Sequence, residues 1–317
     1  MPIKIPNGLP AAEVLGREHI FVMTEQRATT QHIRPLQLLV LNLMPVKITT
    51  ETQLARVLGN TPLQVELELI KTSTYEGTHP PEEHMLKFYT TFDQVKDRYF
   101  DGMVITGAPV EKLEFEQVQY WQELCEIMEW TKTHVHSTFH ICWAAQAALY
   151  YHYGINKVPL DRKLSGVYPH RVLDRSSMLM RGFDDVFMVP QSRNTTLRTE
   201  DVKACDKLSI LAESDAGGVY AMSAMEGRQV FITGHSEYDA DTLRNEYIRD
   251  KKIDPSTRVP ENYFPNDDDT KEPVVTWRGH ANLLYMNWLN YFVYQTTPYE
   301  IETIIPMEIG ANRERKL

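Results

Sequence analysis

Cys142 lies inside "THVHSTFHICWAAQAALYYHYG" (residues 133–154), where a β-like run meets an alanine-rich helix. A thiol at a sharp strand-to-helix turn stands out of the sheet, and the amides that open the helix face developing negative charge. A helix N-terminus also favours the thiolate form of a cysteine, the nucleophilic one. Position alone leaves two readings open, a nucleophile or a small buried apolar residue. A thiolate nucleophile needs a base, and the base needs an orienting group. "FITGHSEYD" (residues 231–239) offers both. His235 follows an apolar strand ending at Gly234, and Glu237 lies two residues on, so on extended chain both side chains point the same way.

Other candidates for chemistry are weaker. His134, His136 and His140 fall at even spacing and share a strand face with Cys142. A tetrahedral metal set needs convergence, whereas His134 and Cys142 are roughly 25 Å apart along a strand at about 3.3 Å per residue. No metal site is therefore expected. His140 sits two residues lower in the sheet than Cys142 and reads as structural or pocket-lining. Cys125 shares an apolar helical stripe with Val118, Trp121 and Met128 and reads as core. Cys205 has no marked context. Three widely spaced cysteines without a CxxC argue against a disulfide framework and a cysteine-rich zinc site.

These residues need elements to position them. "LQLLVLNLM" (36–44) is a near-continuous apolar run, as in a strand buried on both faces of a parallel sheet. "TTETQLARVLG" (49–59) reads as a helix capped by Thr49 or Thr50 and closed by Gly59. "LQVELELIK" and "YFDGMVITGAP" read as strands, and "EFEQVQYWQELCEIMEWTKTH" (114–134) as one amphipathic helix. "VHSTFHI" is the strand before Cys142, and "WAAQAALYYHYG" the helix after it. Shorter strands follow in "FDDVFMVP", "LSILAESD", "GGVYAMSAM" and "RQVFITGH". A polar excursion covers 254–273, "ANLLYMNWLNYFVYQTTPY" reads as a closing helix, and "ANRERKL" as a charged tail. Alternating strands and helices predict an α/β fold with a doubly wound, mostly parallel sheet and helices on both faces. Residues 1–35 are expected to wrap the surface, 36–300 to form a single catalytic domain, and 301–317 a tail.

The chain has 317 residues and a formal net charge of -10, with no basic stripe, so nucleic acid is not an expected partner. "MPIKIPNGLPAAEVL" has no apolar signal region and "LQLLVLNLM" is too short to span a membrane. A cytoplasmic location without membrane attachment is expected.

"HICWAAQAAL" and the later "GHSEYD" resemble the class I glutamine amidotransferase-like superfamily, which has a flavodoxin-like sheet, an elbow G-x-C-x-G-x-Q and a downstream His-x-Glu. Gln146 matches that pattern, but His140 and Ala144 stand where the superfamily has glycine, which points away from an ordinary glutaminase. "LNLMPVKITTETQLARVLGNTPLQVELELIKTSTYEGTH", "FDGMVITGAPVEKLEFEQVQYW", "THVHSTFHICWAAQAALYYHYGI", "GHSEYD" and "WRGHANLLYMNWLNYFVYQTTPY" are more closely similar to one branch, the homoserine O-acyltransferases of methionine biosynthesis. That resemblance covers nearly the whole chain. It implies that Cys142 is acylated by an acyl-CoA, that His235 is the general base and that Glu237 orients His235. It implies an oxyanion hole from the Trp143 amide and one near Gly107 or Ala108. Lys163, Ser192 and Arg249 would line the homoserine site, with Ser192 also near the acyl group.

In this family Glu at position 111 accompanies acetyl-CoA and Gly accompanies succinyl-CoA. A carboxylate there repels the carboxylate of a succinyl group, so Glu111 points to acetyl. The resemblance thus implies acetyl-CoA as co-substrate, L-homoserine as acceptor, no permanently bound cofactor and a homodimer. The alternatives are succinyl transfer, a glutaminase or hydrolase on the same scaffold, and a non-catalytic thiol redox sensor. No phosphate loop or dinucleotide fingerprint occurs, and Lys47 is one candidate contact for the CoA phosphates.

Overall fold

The computed structural model describes residues 3–17, 23–24, 34–73 and 82–308. Among them twelve strands form one sheet: Ile3–Ile5 (β1), Met23–Thr24 (β2), Leu36–Leu41 (β3), Val65–Lys71 (β4), Tyr89–Thr91 (β5), Phe100–Ile105 (β6), Val135–Ile141 (β7), Lys157–Val172 (β8), Val186–Leu197 (β9), Ser209–Ser214 (β10), Gly218–Ala224 (β11) and Gln229–Ile232 (β12). Their spatial order is β2-β1-β4-β3-β6-β7-β12-β11-β10-β8-β9, with β5 beside β4. Pairing is parallel from β2 through β12 and antiparallel from β12 to β9. The helices of ten residues or more are Lys47–Leu58 (α1), Trp121–His134 (α2), Trp143–Tyr153 (α3), Thr242–Ile253 (α4) and Arg278–Asn287 (α5). None of the described helices is long and apolar enough to cross a membrane.

Both faces of the central strands are covered, which is why their sequences are almost continuously apolar. Leu38, Val40, Val104, Phe139 and Val230 face a layer that includes Leu54 of α1, Tyr285 of α5 and Trp288. Their neighbours Leu39, Leu41, Met103, Ile105 and Phe231 face Leu124 and Met128 of α2 and Ala144 and Ala148 of α3. The alternation follows the two-residue period of a strand. The alanines let α3 lie close to the sheet, and Gly154, at φ 71°, closes that helix in the left-handed conformation.

Several expected elements take a different form. α1 starts at Lys47, not at Thr49 or Thr50, and has no side-chain cap. The threonines instead donate backwards along the helix, Thr50 to the carbonyl of Val46 and Thr52 to that of Ile48. The single helix expected over 114–134 is a 3₁₀ turn at Phe115–Gln117, followed after a break by α2. Val118 is extended at the break (ψ 126°), and the Phe115 ring stacks on Trp121 of α2 and Tyr150 of α3. The short strand expected in "FDDVFMVP" is the start of the twelve-residue β9, paired along its length with the sixteen-residue β8. The closing helix changes to a π-helix at Trp288–Tyr294. The segment 254–273 is irregular, and Glu261 bridges to Gly166 of β8. "ANRERKL" lies outside the described residues.

Candidate active site

β7 ends at Ile141 and delivers Cys142 into a tight turn before α3. Cys142 has φ 51° and ψ -112°, a costly conformation for a residue with a Cβ. Its amide donates to the carbonyl of Ile232 at 2.7 Å, the last rung between β7 and β12, and its carbonyl accepts from the Gln146 amide at 3.2 Å. These two bonds hold the turn. Gln146, the elbow residue shared with the superfamily pattern, exchanges two hydrogen bonds with Thr195 and so ties α3 to β9.

β12 lies beside β7 and runs parallel to it, so the segment after β12 emerges next to the elbow. The amide of His235 is anchored on the carbonyl of Pro190 at 2.9 Å. Its ring lies beside Cys142, both flanking Gly107, and the two side chains interact electrostatically; its Nδ1 lies 2.7 Å from Glu237 Oε1. Cys142, His235 and Glu237 are 7%, 4% and 7% exposed, so water screens them little. Burial disfavours a charged imidazole, but the charges of Cys142 and Glu237 outweigh it and hold the His235 pKa well above its ordinary value. The geometry is that of a nucleophile, a base and a base-orienting carboxylate.

The loop after β6 covers the pair. A methyl group at Gly107 would lie 3.4 Å from Cys142 Cβ and 3.5 Å from His235 Cε1. Trp143 is the first residue of α3, where an amide has no intrahelical acceptor. Met44, Thr50, Gln53, Leu54 and Thr106 complete a small pocket in front of His235 and Glu237.

A second cluster adjoins the first. α4 presents Glu246, Arg249 and Asp250 one turn apart. Glu246 accepts hydrogen bonds from the Ser192 hydroxyl and, at 2.8 Å, from the Tyr238 hydroxyl. Lys163 donates to Asp250 at 2.8 Å and lies 3.6 Å from Glu246. Arg249 donates to Asp250 through Nε and lies against the same oxygen through Nη2, both at 2.8 Å. Burial opposes the Asp250 charge, but Lys163 and Arg249 prevail and hold its pKa below the ordinary carboxylate value. Lys163, Ser192 and Arg249, expected from the sequence, are thus gathered on two acids that the sequence reading missed. The signal available was the one-turn spacing of Glu246, Arg249 and Asp250, which a solvated helix face also shows. Tyr238 joins this cluster to the triad, because its ring stacks on His235 with centroids 4.2 Å apart.

Glu111 lies in the turn after "TGAP" rather than on a helix, and its Oε1 accepts from Asn194 at 2.6 Å. Lys47 is 6% exposed, with its ammonium against the carbonyl of Asn42 and its pKa lowered to about 8, chiefly by burial. It is therefore not presented to solvent as a phosphate contact. His140 is buried, donates through Nδ1 to the carbonyl of Val230 and stacks on Phe231; burial pushes its pKa down to about 4. His136 pairs with Thr296 and His134 stacks on Tyr99, so the three histidines serve separate places. Cys125 is buried on α2 with its pKa pushed up to about 12, first by burial and then by Glu116 and Glu126; Cys205 is half-buried.

Residues 2–299 match the family model described as homoserine O-succinyltransferase. The chain belongs to that family. Within the homoserine O-succinyltransferase family it is similar to proteins named homoserine O-acetyltransferase. That of Acetivibrio thermocellus is 59% identical over 304 residues, covering 96% of this chain and 100% of the relative. That of Thermotoga petrophila is also 59% identical over 304 residues, with the same coverage. That of Brevibacillus brevis is 56% identical over 301 residues, covering 95% of this chain and 98% of the relative. Among solved structures, a glutamine amidotransferase from Thermotoga maritima aligns with a TM-score of 0.53 at 14% identity, covering 83% of this chain and 100% of that one. At that identity the likeness shows the fold: the homoserine O-succinyltransferase family chain has the α/β sheet of the amidotransferases.

Proposed function

We propose that this chain is a homoserine O-acetyltransferase that works through an acetyl-Cys142 intermediate. The observation that carries the reading is the juxtaposition of Cys142 with the hydrogen-bonded pair His235–Glu237 at the carboxyl ends of two adjacent parallel strands, where α/β sheets bind their ligands. Relatives named homoserine O-acetyltransferase at 56–59% identity support the substrate pair.

In the first half-reaction the Cys142 thiolate attacks the thioester carbonyl of acetyl-CoA. The oxyanion is received by the Trp143 amide and by one from Gly107 or Ala108. The carbon–sulfur bond to CoA breaks, and the leaving thiolate takes the proton from the His235 imidazolium. In the second half-reaction neutral His235 removes the proton from the γ-hydroxyl of L-homoserine. The oxygen attacks the acetyl-thioester, O-acetyl-L-homoserine leaves, and the Cys142 thiolate and His235 imidazolium are restored. Glu237 keeps the ring aimed and stabilises its charge.

Homoserine is a zwitterion. Arg249 suits its carboxylate, because a guanidinium offers a two-pronged donor; Lys163 assists, and Glu246 takes the ammonium. Ser192 lies between this pocket and the acyl group. Glu111 sets the donor, since a second carboxylate in the acyl site repels succinyl but leaves acetyl unaffected. The protein takes no permanently bound cofactor and serves methionine biosynthesis in the cytoplasm as a homodimer. Intact mass after incubation with acetyl-CoA or succinyl-CoA tests the reading: Cys142 is expected to gain an acetyl group, and preferential succinylation overturns the donor assignment. Cys142→Ser gains no acyl-thioester.

A further inference from the structure

Glu111 is held from two strands. Asn194 of β9 donates through Nδ2 to Glu111 Oε1 at 2.6 Å. Lys157 of β8, only 9% exposed, donates through Nζ to the carbonyl of Glu111 at 3.0 Å and to that of Leu113 at 2.7 Å. The same ammonium lies 4.9 Å from the centre of the Phe115 ring. One contact fixes the side chain of Glu111 and the other fixes its backbone.

Selectivity by repulsion has a mechanical requirement. A glutamate in a turn has three rotatable side-chain bonds, and if nothing holds it, it can swing toward water when a second carboxylate arrives. The repulsion is then largely relieved, and with it the discrimination. An amide donor is suited to preventing this, because it binds the carboxylate without neutralising it. A lysine in the same place would supply a positive charge that attracts succinyl. The cation at this site, Lys157, is instead turned onto main-chain carbonyls, where it fixes the loop.

We infer that Asn194 and Lys157 are positioning residues for acyl selectivity, acting through Glu111 to keep its carboxylate in the acyl site. The inference rests on the reading of Glu111 under Proposed function. Sequence alone would not have found it: Asn194 is one polar residue on an edge strand, and its partner lies across the fold.

The test measures kcat/KM for acetyl-CoA and succinyl-CoA in Asn194→Leu, Asn194→Ala and Lys157→Met, each also combined with Glu111→Gly. Leucine has the branched outline and heavy-atom count of asparagine, and methionine nearly matches the lysine stem, so folding is kept as far as possible; circular dichroism checks it. The preference for acetyl over succinyl is expected to fall about tenfold in the Asn194 variants, the scale of one hydrogen bond to a charged group. In the Glu111→Gly background the same substitutions are expected to change the preference less than about twofold, because coupled residues are not additive. An unchanged preference in the Asn194 and Lys157 single variants, with Glu111→Gly gaining succinyl transfer, overturns this inference and spares the Glu111 reading. Equal effects with and without Glu111 also overturn it, because they show the residues acting independently. If Glu111→Gly gains no succinyl transfer, the Glu111 reading fails and takes the inference with it.

Discussion

The ring of Tyr238 lies over that of His235, with centroids 4.2 Å apart and planes 18° apart. Its hydroxyl donates to Glu246 at 2.8 Å, and its carbonyl accepts from the Trp277 indole at 3.0 Å. One side chain thus braces the proposed base, His235, and the acid of the proposed amino-acid pocket, Glu246. Tyr238→Phe keeps the stack and removes only the hydrogen bond, whereas Tyr238→Ala removes both. The first is expected to raise the homoserine KM several-fold with kcat little changed; the second is expected to lower kcat as well. Steady-state kinetics separates the two, and identical effects would contradict the bracing role.

Glu237→Gln preserves shape and removes charge. His235 then loses one of the two negative neighbours that sustain its proton. A fall in kcat/KM of about 10²–10⁴ is expected, the usual worth of acid–base catalysis. A fall below tenfold in the CoA-release assay would sink the triad assignment.

Glu246→Gln removes the proposed counter-charge for the substrate ammonium. The loss should fall on the homoserine KM, by about tenfold or more. CoA release from acetyl-CoA in the absence of homoserine separates this from a general defect: if that burst falls by as much, Glu246 has no special tie to the acceptor.

Acid should destabilise the fold in a definite window. Burial lowers the pKa of His136, His140 and His170 to about 4, against about 6.5 in an unfolded chain. Between those values the unfolded state binds protons that the folded state refuses. Stability therefore falls as pH drops through that window, by up to about 1.4 kcal/mol per pH unit for each histidine. His235 has the opposite sign: its raised pKa contributes stability below about 6.5 that is lost as pH rises through the folded value. Urea midpoints at pH 7, 6, 5 and 4.5 check the acid limb, and a flat profile would contradict it.

Gly166→Ala should cost stability. Gly166 has φ 152°, and an added Cβ would lie 2.3 Å from the Glu261 carbonyl oxygen and 2.7 Å from its nitrogen. These are backbone atoms with little room to give. A loss of about 3 kcal/mol is expected, read as a Tm lowered by about 5 °C or more. An unchanged Tm would mean that the 254–273 segment is not tied to β8 in solution.

The meeting of Cys142, His235 and Glu237 was legible because Cys142 and His235 each follow an apolar strand with a clear pattern, and the elbow shares its Gln146 with a known superfamily pattern. The parallel half of the sheet was legible for the same reason. β8 was not: "KVPLDRKLSGVYPHRV" carries Pro159, Pro169 and five charged side chains. The strand tolerates them because its other edge meets β10 only at Arg171 and Val172 among the described residues. Glu246 and Asp250 read as solvated charges until the fold brings Lys163 and Ser192 to them. The contact between Asn194 and Glu111 joins segments that share no local pattern.

Ser192 and Asn194 point to the same side of β9, the first toward the proposed acceptor pocket and the second toward the proposed acyl gate, while Arg193 between them is buried. A strand reverses the facing of every side chain when it slips by one residue. A single-residue insertion or deletion upstream in β9 would therefore turn both residues inward together and bring Arg193 out. On the proposed reading a point substitution at Glu111 alters the acyl donor alone, whereas gaining or losing one residue in this strand disturbs donor and acceptor recognition together, because Ser192 and Asn194 share one register.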